Sequence, residues 1–198
     1  MMAKKVRQVI LIKGVFGAKE IANIKRYKNY PALSLTLTKH PGLEFLKLMP
    51  KLEVLELYTT TIENYGVLNE INTLRELFLN NIRQHEDLSF ISSLFQIEKL
   101  SLLNLRQLEK LPDLAGCKGL KRVFLWDCKK LKDIQALAGA PNLEQLDIVD
   151  TPHQPDDLAF LMKLDNIKYI NGQFGSNKTN KRFEELLGQY GKMRQPED

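Results

Sequence analysis

The stretch Leu120–Cys128 reads Leu-Lys-Arg-Val-Phe-Leu-Trp-Asp-Cys, with apolar residues at its first, fourth and sixth places. The fourth and sixth share a face, because alternate strand residues point the same way, so this is a short strand with one side indoors. The triplet recurs along the chain. Its starts fall at Val6, Tyr30, Leu52, Leu74, Ile97, Leu120, Leu143 and Ile167, at steps of 24, 22, 22, 23, 23, 23 and 24 residues. The fourth and sixth places are then Val9/Leu11, Leu33/Leu35, Leu55/Leu57, Leu77/Leu79, Leu100/Leu102, Val123/Leu125, Leu146/Ile148 and Ile170/Gly172, where a glycine breaks the last.

A second pattern precedes each later strand. Nine, six and three residues before the start stand Ile21/Ile24/Tyr27, Leu43/Leu46/Met49, Tyr65/Leu68/Ile71, Leu88/Ile91/Leu94, Leu111/Leu114/Cys117, Ile134/Leu137/Ala140 and Leu158/Leu161/Leu164. A strict step of three suits a 3₁₀ or short α turn with one buried edge.

The combined pattern, L-x-x-L-x-L preceded by three apolar residues at steps of three, resembles the leucine-rich-repeat family. The period is closest to the short repeats of internalins and phosphatase regulatory subunits. The resemblance implies an α/β fold: a right-handed solenoid of about eight repeats, with a parallel sheet on the concave side and short 3₁₀ or α segments on the convex side. One departure stands out. The ninth place, usually Asn or Cys, is Gly14, Thr38, Thr60, Ile82, Leu105, Cys128, Thr151 and Gly175, so the asparagine ladder is missing. Thr hydroxyls, water or altered turns are expected to satisfy the backbone instead.

Repeats contact only their neighbours, so both ends need covering. Phe183, Leu186, Leu187 and Tyr190 lie at i, i+3, i+4 and i+7 and predict an amphipathic cap helix. The expected organisation is a solenoid over 1–172, a cap over 173–191 and a polar tail over 192–198. At the other end the first strand is read with Val9 and Leu11 inside and Ile10 and Ile12 outside. It is a bare edge, to be covered by a partner, a second copy or an upstream domain, or else protected by its flanking lysines.

Composition bounds the function. Apolar residues make up 43% and charged residues 27% of the 198, as in ordinary globular proteins. No apolar run is long enough to span a membrane, and Val9–Ile12 is too short for a signal-peptide core. The only cysteines, Cys117 and Cys128, fall on core columns, which favours a reducing, cytoplasmic setting over a disulfide scaffold. The net charge of +5 is local: residues 1–30 carry eight basic residues and one acid, and the remainder 21 basic against 23 acidic.

Catalytic, cofactor and metal signals are absent. Gly14-Val-Phe-Gly-Ala-Lys19 has two residues between its glycines and Glu20 after the lysine, so it fails as a phosphate loop. His40, His85 and His153 sit in non-adjacent repeats and read as solvated turn residues, and no nucleophile has a base beside it. The chain is therefore read as a non-enzyme with no cofactor.

The concave places carry the interest. The second place alternates in sign through Arg75, Glu98, Lys121, Glu144 and Lys168, a structural ladder of ion pairs. The fifth and seventh places hold large apolar side chains with no core to enter: Tyr58, Phe78, Leu103, Phe124 and Trp126. They are expected to form one exposed patch, with Asp127, Asp147 and Asp150 steering a partner. Acids outnumber bases on these places over repeats three to seven, which suits a protein with a basic, partly apolar surface and disfavours nucleic acid there. The expected function is thus protein binding as adaptor, regulatory subunit or toxin-immunity partner. Alternatives are docking of the basic N-terminal segment to nucleic acid or an anionic membrane, or service as the sensor portion of a larger protein.

Overall fold

The computed structural model describes residues 9–13, 18–36, 39–82 and 88–195. In chain order its strands are β1 (Val9–Lys13), β2 (Ala32–Thr36), β3 (His40–Gly42), β4 (Val54–Tyr58), β5 (Ile62–Asn64), β6 (Glu76–Asn80), β7 (Lys99–Leu103), β8 (Arg122–Trp126), β9 (Gln145–Val149) and β10 (Tyr169–Gln173). Eight of them build one sheet in the order β1-β2-β4-β6-β7-β8-β9-β10, every neighbour parallel, and β3 pairs only with β5. Like places stand beside like places: Leu55 faces Leu77, Leu77 faces Leu100, and Leu100 faces Val123. From the second repeat onward the first, fourth and sixth places point inward and form a continuous core from repeat to repeat.

The connections close that core from the other side. They are α1 (Ala18–Ile24), 3₁₀ turns at Lys25–Tyr27, Glu44–Leu48, Gly66–Glu70, Ser89–Ser93, Gln135–Gly139 and Pro155–Leu158, and the one-turn α2 (Ala159–Met162). Before β8 the step of three is made without a helix, yet Leu111, Leu114 and Cys117 are all buried. The spacing thus specifies burial more firmly than it specifies a helical turn.

The asparagine ladder is missing, and the turns after the strands share one backbone conformation at the place before it. At the eighth place Thr59, Asn81, Asn104, Asp127 and Asp150 all adopt left-handed backbone, with φ between 50° and 53°. Asn and Asp tolerate this region best among residues with a side chain, which explains their column. Their amides carry the sheet ladder one step further, Asn81 to the Leu103 carbonyl and Asn104 to the Trp126 carbonyl at 3.0 and 2.9 Å. A second set of side chains just before the strands reaches back one repeat. Thr73 donates to the Leu52 carbonyl, Asn142 to Lys118 and Asn166 to Leu143, at 2.6 to 2.9 Å.

The first strand differs from its expected phase. Ile10 pairs with Leu33 and Ile12 with Leu35, so these two face inward, while Leu11 sits beside Ser34 and is 68% exposed. The reading with Leu11 inside is off by one residue. A run of four apolar residues has no period of its own, so pairing with β2 sets the phase, and a one-residue shift turns over every side chain. Residues 1–8 lie outside the described residues.

At the far end α3 (Asn177–Tyr190) is the cap. Ser176 accepts from the Thr179 amide at its start, and Gly191 ends it in left-handed backbone. Phe183, Leu186 and Leu187 are buried against the last repeat. Residues 192–195, expected as the start of a polar tail, instead run along β10: Met193 accepts from the Ile170 amide and donates to the Lys168 carbonyl, at 3.0 and 3.1 Å.

Both cysteines are buried and unpaired with each other. Cys117 donates to the Ile91 carbonyl, and burial, helped by Asp113, pushes its thiol up to about 11. Cys128 is raised mainly by burial as well. Thiolate is the reactive form, so neither is expected to take up iodoacetamide at pH 8 in the folded chain. Both should react fully in denaturant, as mass spectrometry would show. Rapid native labelling would contradict the packing.

His153 is not the solvated turn residue expected of it. It is 7% exposed, its Nδ1 meeting the Thr151 hydroxyl and its Nε2 the Lys132 carbonyl one repeat back. Burial lowers its pKa, against smaller opposing effects from Lys132 and Asp157. Because the folded pKa lies below the unfolded one, its contribution is complete above about pH 6.5 and is lost as pH falls from there through the folded pKa. Melting temperature should therefore drop on acidification from pH 7 more steeply in the wild type than in His153→Gln. Parallel pH profiles would refute this role.

Candidate functional site

The candidate site is the outer face of the sheet, formed by the third, fifth and seventh places of the repeat. The fifth-place column runs Ser34, Glu56, Phe78, Ser101, Phe124, Asp147 and Asn171, and the seventh Thr36, Tyr58, Asn80, Leu103, Trp126 and Val149. Five-residue strands in exact register place these side chains on neighbouring strands about 4.8 Å apart.

The aromatic residues form two pairs rather than one patch. Tyr58 and Phe78 have ring centroids 5.1 Å apart, and Phe124 meets Trp126 edge to face at 6.2 Å. Leu103, expected on the surface between them, is only 6% exposed. Its register neighbours Asn80 and Trp126 flank it on both sides and cover a side chain shorter than the indole. Trp126 takes the solvent contact instead, at 46% exposure.

Ser101 gives the site its relief. Its small, buried side chain sits in register between Phe78 and Phe124, at one end of a cleft of about 640 Å³ that runs across the face to Asn171 and Arg194. Lys99, Arg122, Asp147 and, from beyond the cap, Arg194 also line it. Both Asp147 oxygens are engaged, by the Asn171 amide at 2.6 Å and the Gln145 amide at 2.8 Å. Arg194 is held by Glu184 at 2.6 Å and lies 5.0 Å over the Phe183 ring.

Asp127 and Asp150 lie at the other end of the strands. Lys129 bridges them at 3.1 and 3.7 Å, and Asp150 also accepts from the Trp126 indole at 3.4 Å. The two carboxylates, chiefly Asp127, raise the Lys129 pKa. Their charge is thus partly compensated by a residue beyond the nine-place motif. At the near side Tyr58 donates to Glu56, and burial followed by the Glu56 charge raises its phenol. The second-place ladder is present, with Glu98 between Arg75 and Lys121 at 3.6 Å and Glu144 beside Lys168 at 3.7 Å. These pairs are exposed and contribute little to stability.

Phe78, Phe124 and Asp147 therefore share one cleft, Tyr58 and Trp126 pack against its two phenylalanines from outside the lining, Asp127 and Asp150 stand apart, and Leu103 is covered on the outer face. A serine between two phenylalanines in one column was a readable sign of the recess. The arrival of Arg194 had no sign in the sequence, since it depends on how the chain turns after α3.

No protein-family model matches the chain, and no curated protein matches it in sequence. Solved structures do. An internalin (inlF) of Listeria monocytogenes superposes with a TM-score of 0.62 over 84% of this chain and 47% of its own, at 22% identity. The internalin C2 (inlC2) of the same organism gives 0.54 over 77% of this chain and 64% of its own, at 23% identity. The chain has the leucine-rich-repeat fold. Its leucine-rich repeats span between about half and two thirds of the length of those internalin chains. Among the described residues no helix is long and apolar enough to cross a membrane, and no group of His, Cys, Asp and Glu could hold a metal ion.

Proposed function

We propose that this chain is a non-catalytic module that binds another protein through the outer, concave face of its sheet. The observation that carries the reading is Trp126, nearly half exposed, set edge-on to Phe124 at the wall of a cleft. A rigid aromatic pair beside a recess concentrates binding energy in few residues, and the surrounding charges give it a polar rim. Phe78, Tyr58 and Asp147 extend the contact, and Asp127 and Asp150 favour a partner with basic residues at its edge. Leu103 supports the patch from beneath. The two free, buried thiols favour a reducing, cytoplasmic setting. Adaptor, regulatory subunit and toxin-immunity partner are all roles such a module fills.

The test is affinity capture with wild type and with Phe124→Ala/Trp126→Ala. Captured proteins are expected to bind the double variant roughly tenfold to a hundredfold more weakly, with the melting curve nearly unchanged. If every binder retains its affinity, the reading is wrong.

A second reading has its own support. Lys25, Arg26 and Lys28 are all exposed at the start of the solenoid, continuing a basic segment whose Lys4, Lys5 and Arg7 lie outside the described residues. Docking of that segment to nucleic acid or an anionic membrane would weaken steeply with added salt, whereas binding at the aromatic cleft would change far less. Service as the sensor portion of a longer protein, and self-association through β1, are compatible with either.

A further inference from the structure

The third-place column breaks the rule that governs the rest of the sheet. Along the second place opposite charges alternate and pair across the strands. At the third place Lys99 and Arg122 are direct register neighbours, one strand apart. Like charges side by side on a sheet are unfavourable, and neither makes an ion pair with any described residue, although Glu76 neighbours Lys99 in register. Both line the cleft at the end that holds Phe78, Ser101 and Phe124. The one carboxylate in that lining, Asp147, stands one strand beyond Phe124, on the side away from Lys99, and is held there by the Gln145 and Asn171 amides. The cleft therefore combines aromatic walls with two adjacent cations that make no ion pair with a described residue.

We infer that this end of the cleft takes a segment of a partner protein in which a carboxylate stands next to an apolar side chain. The apolar side chain enters over Ser101 between the two phenylalanine rings, and the carboxylate lies across Lys99 and Arg122. Binding relieves the repulsion between the two cations, so an acid is favoured at this point of a partner whose rim is otherwise basic. The inference rests on the protein-binding reading above and adds the chemistry of the residue at its centre. Acidic and apolar side chains together also exclude a polyphosphate chain as the occupant, because it has no group for the aromatic walls.

The experiment is selection of displayed random peptides on the folded chain, followed by affinity measurement on purified variants. Lys99→Gln/Arg122→Gln removes both charges from solvent-facing places, and Phe124→Ala/Trp126→Ala removes the aromatic wall. Expected are peptides carrying Asp or Glu within two places of a large apolar residue, weakened about tenfold or more by Lys99→Gln/Arg122→Gln. Replacing that acid by its amide should cost about as much in the wild type and nothing further in the glutamine variant. Peptides that need Phe124 and Trp126 but lack an acid, or that bind the glutamine variant unchanged, overturn the inference and leave concave-face binding standing. Failure to recover any peptide that depends on Phe124 and Trp126 overturns the binding reading itself.

Discussion

Phe183→Ala is expected to lower stability by about 3–5 kcal/mol, the range for emptying a buried phenylalanine site. The eighth repeat has Gly172 at its sixth place, where β2, β4, β6, β7, β8 and β9 carry leucine or isoleucine. The cap supplies what the strand lacks. Phe183 is fully buried, packs on Phe174 at 4.9 Å between ring centroids, and approaches within 3.3 Å of where a Gly172 side chain would begin. Its removal opens a cavity where the core meets the cap, so the repeats next to the cap should lose protection first. Gly172→Ala alone should also destabilise, because the added carbon would stand 2.6 Å from the Phe174 ring. With Phe183 gone, Phe174 has room to move, so the double variant should be less costly than the sum by about 1 kcal/mol or more. Urea unfolding of the four proteins measures this. Additive losses would mean that glycine and cap are independent.

Gly116→Val is expected to cost about 3 kcal/mol or more, through overpacking against main chain that cannot swing aside. A carbon added to Gly116 would lie 2.4 Å from the Ser92 carbonyl oxygen of the preceding repeat. Relief requires the turn at 115–116 to lift from the turn before β7, and Leu114 and Cys117 beside it are fully buried. Gly139 is the control one repeat later. Its nearest neighbour would be 3.8 Å away, so Gly139→Ala should change stability by less than about 0.5 kcal/mol. Equal effects at the two glycines would show that solenoid spacing relaxes freely at these turns.

Neither glycine looks special in the sequence. The repeat predicts that the chain comes close to itself every 22 to 24 residues, but only three-dimensional stacking says which main-chain atom lies against which. The same distinction runs through the candidate site. Periodicity put Phe78, Phe124, Trp126 and Asp147 on one face, because a strand's period of two and a constant repeat fix the side and the column of each residue. Exposure depends on the neighbours' sizes as well. Leu103 is in the right column yet hidden, and Ser101 matters because it is small between large residues.

By itself, then, the sequence determined the number of repeats, the register of the repeat strands but the first, the inward columns and the amphipathic cap, though not the small β3–β5 sheet. These are local periodic properties, repeated often enough to leave one consistent solution. Tertiary structure decided the phase of β1, where four apolar residues in a row carry no period, and the left-handed backbone of the eighth place. It also decided the burial of His153 and Leu103, and the meeting of Arg194 with the cleft. Each of these rests on a contact between residues roughly one repeat or more apart, and spacing alone does not say how two turns pack.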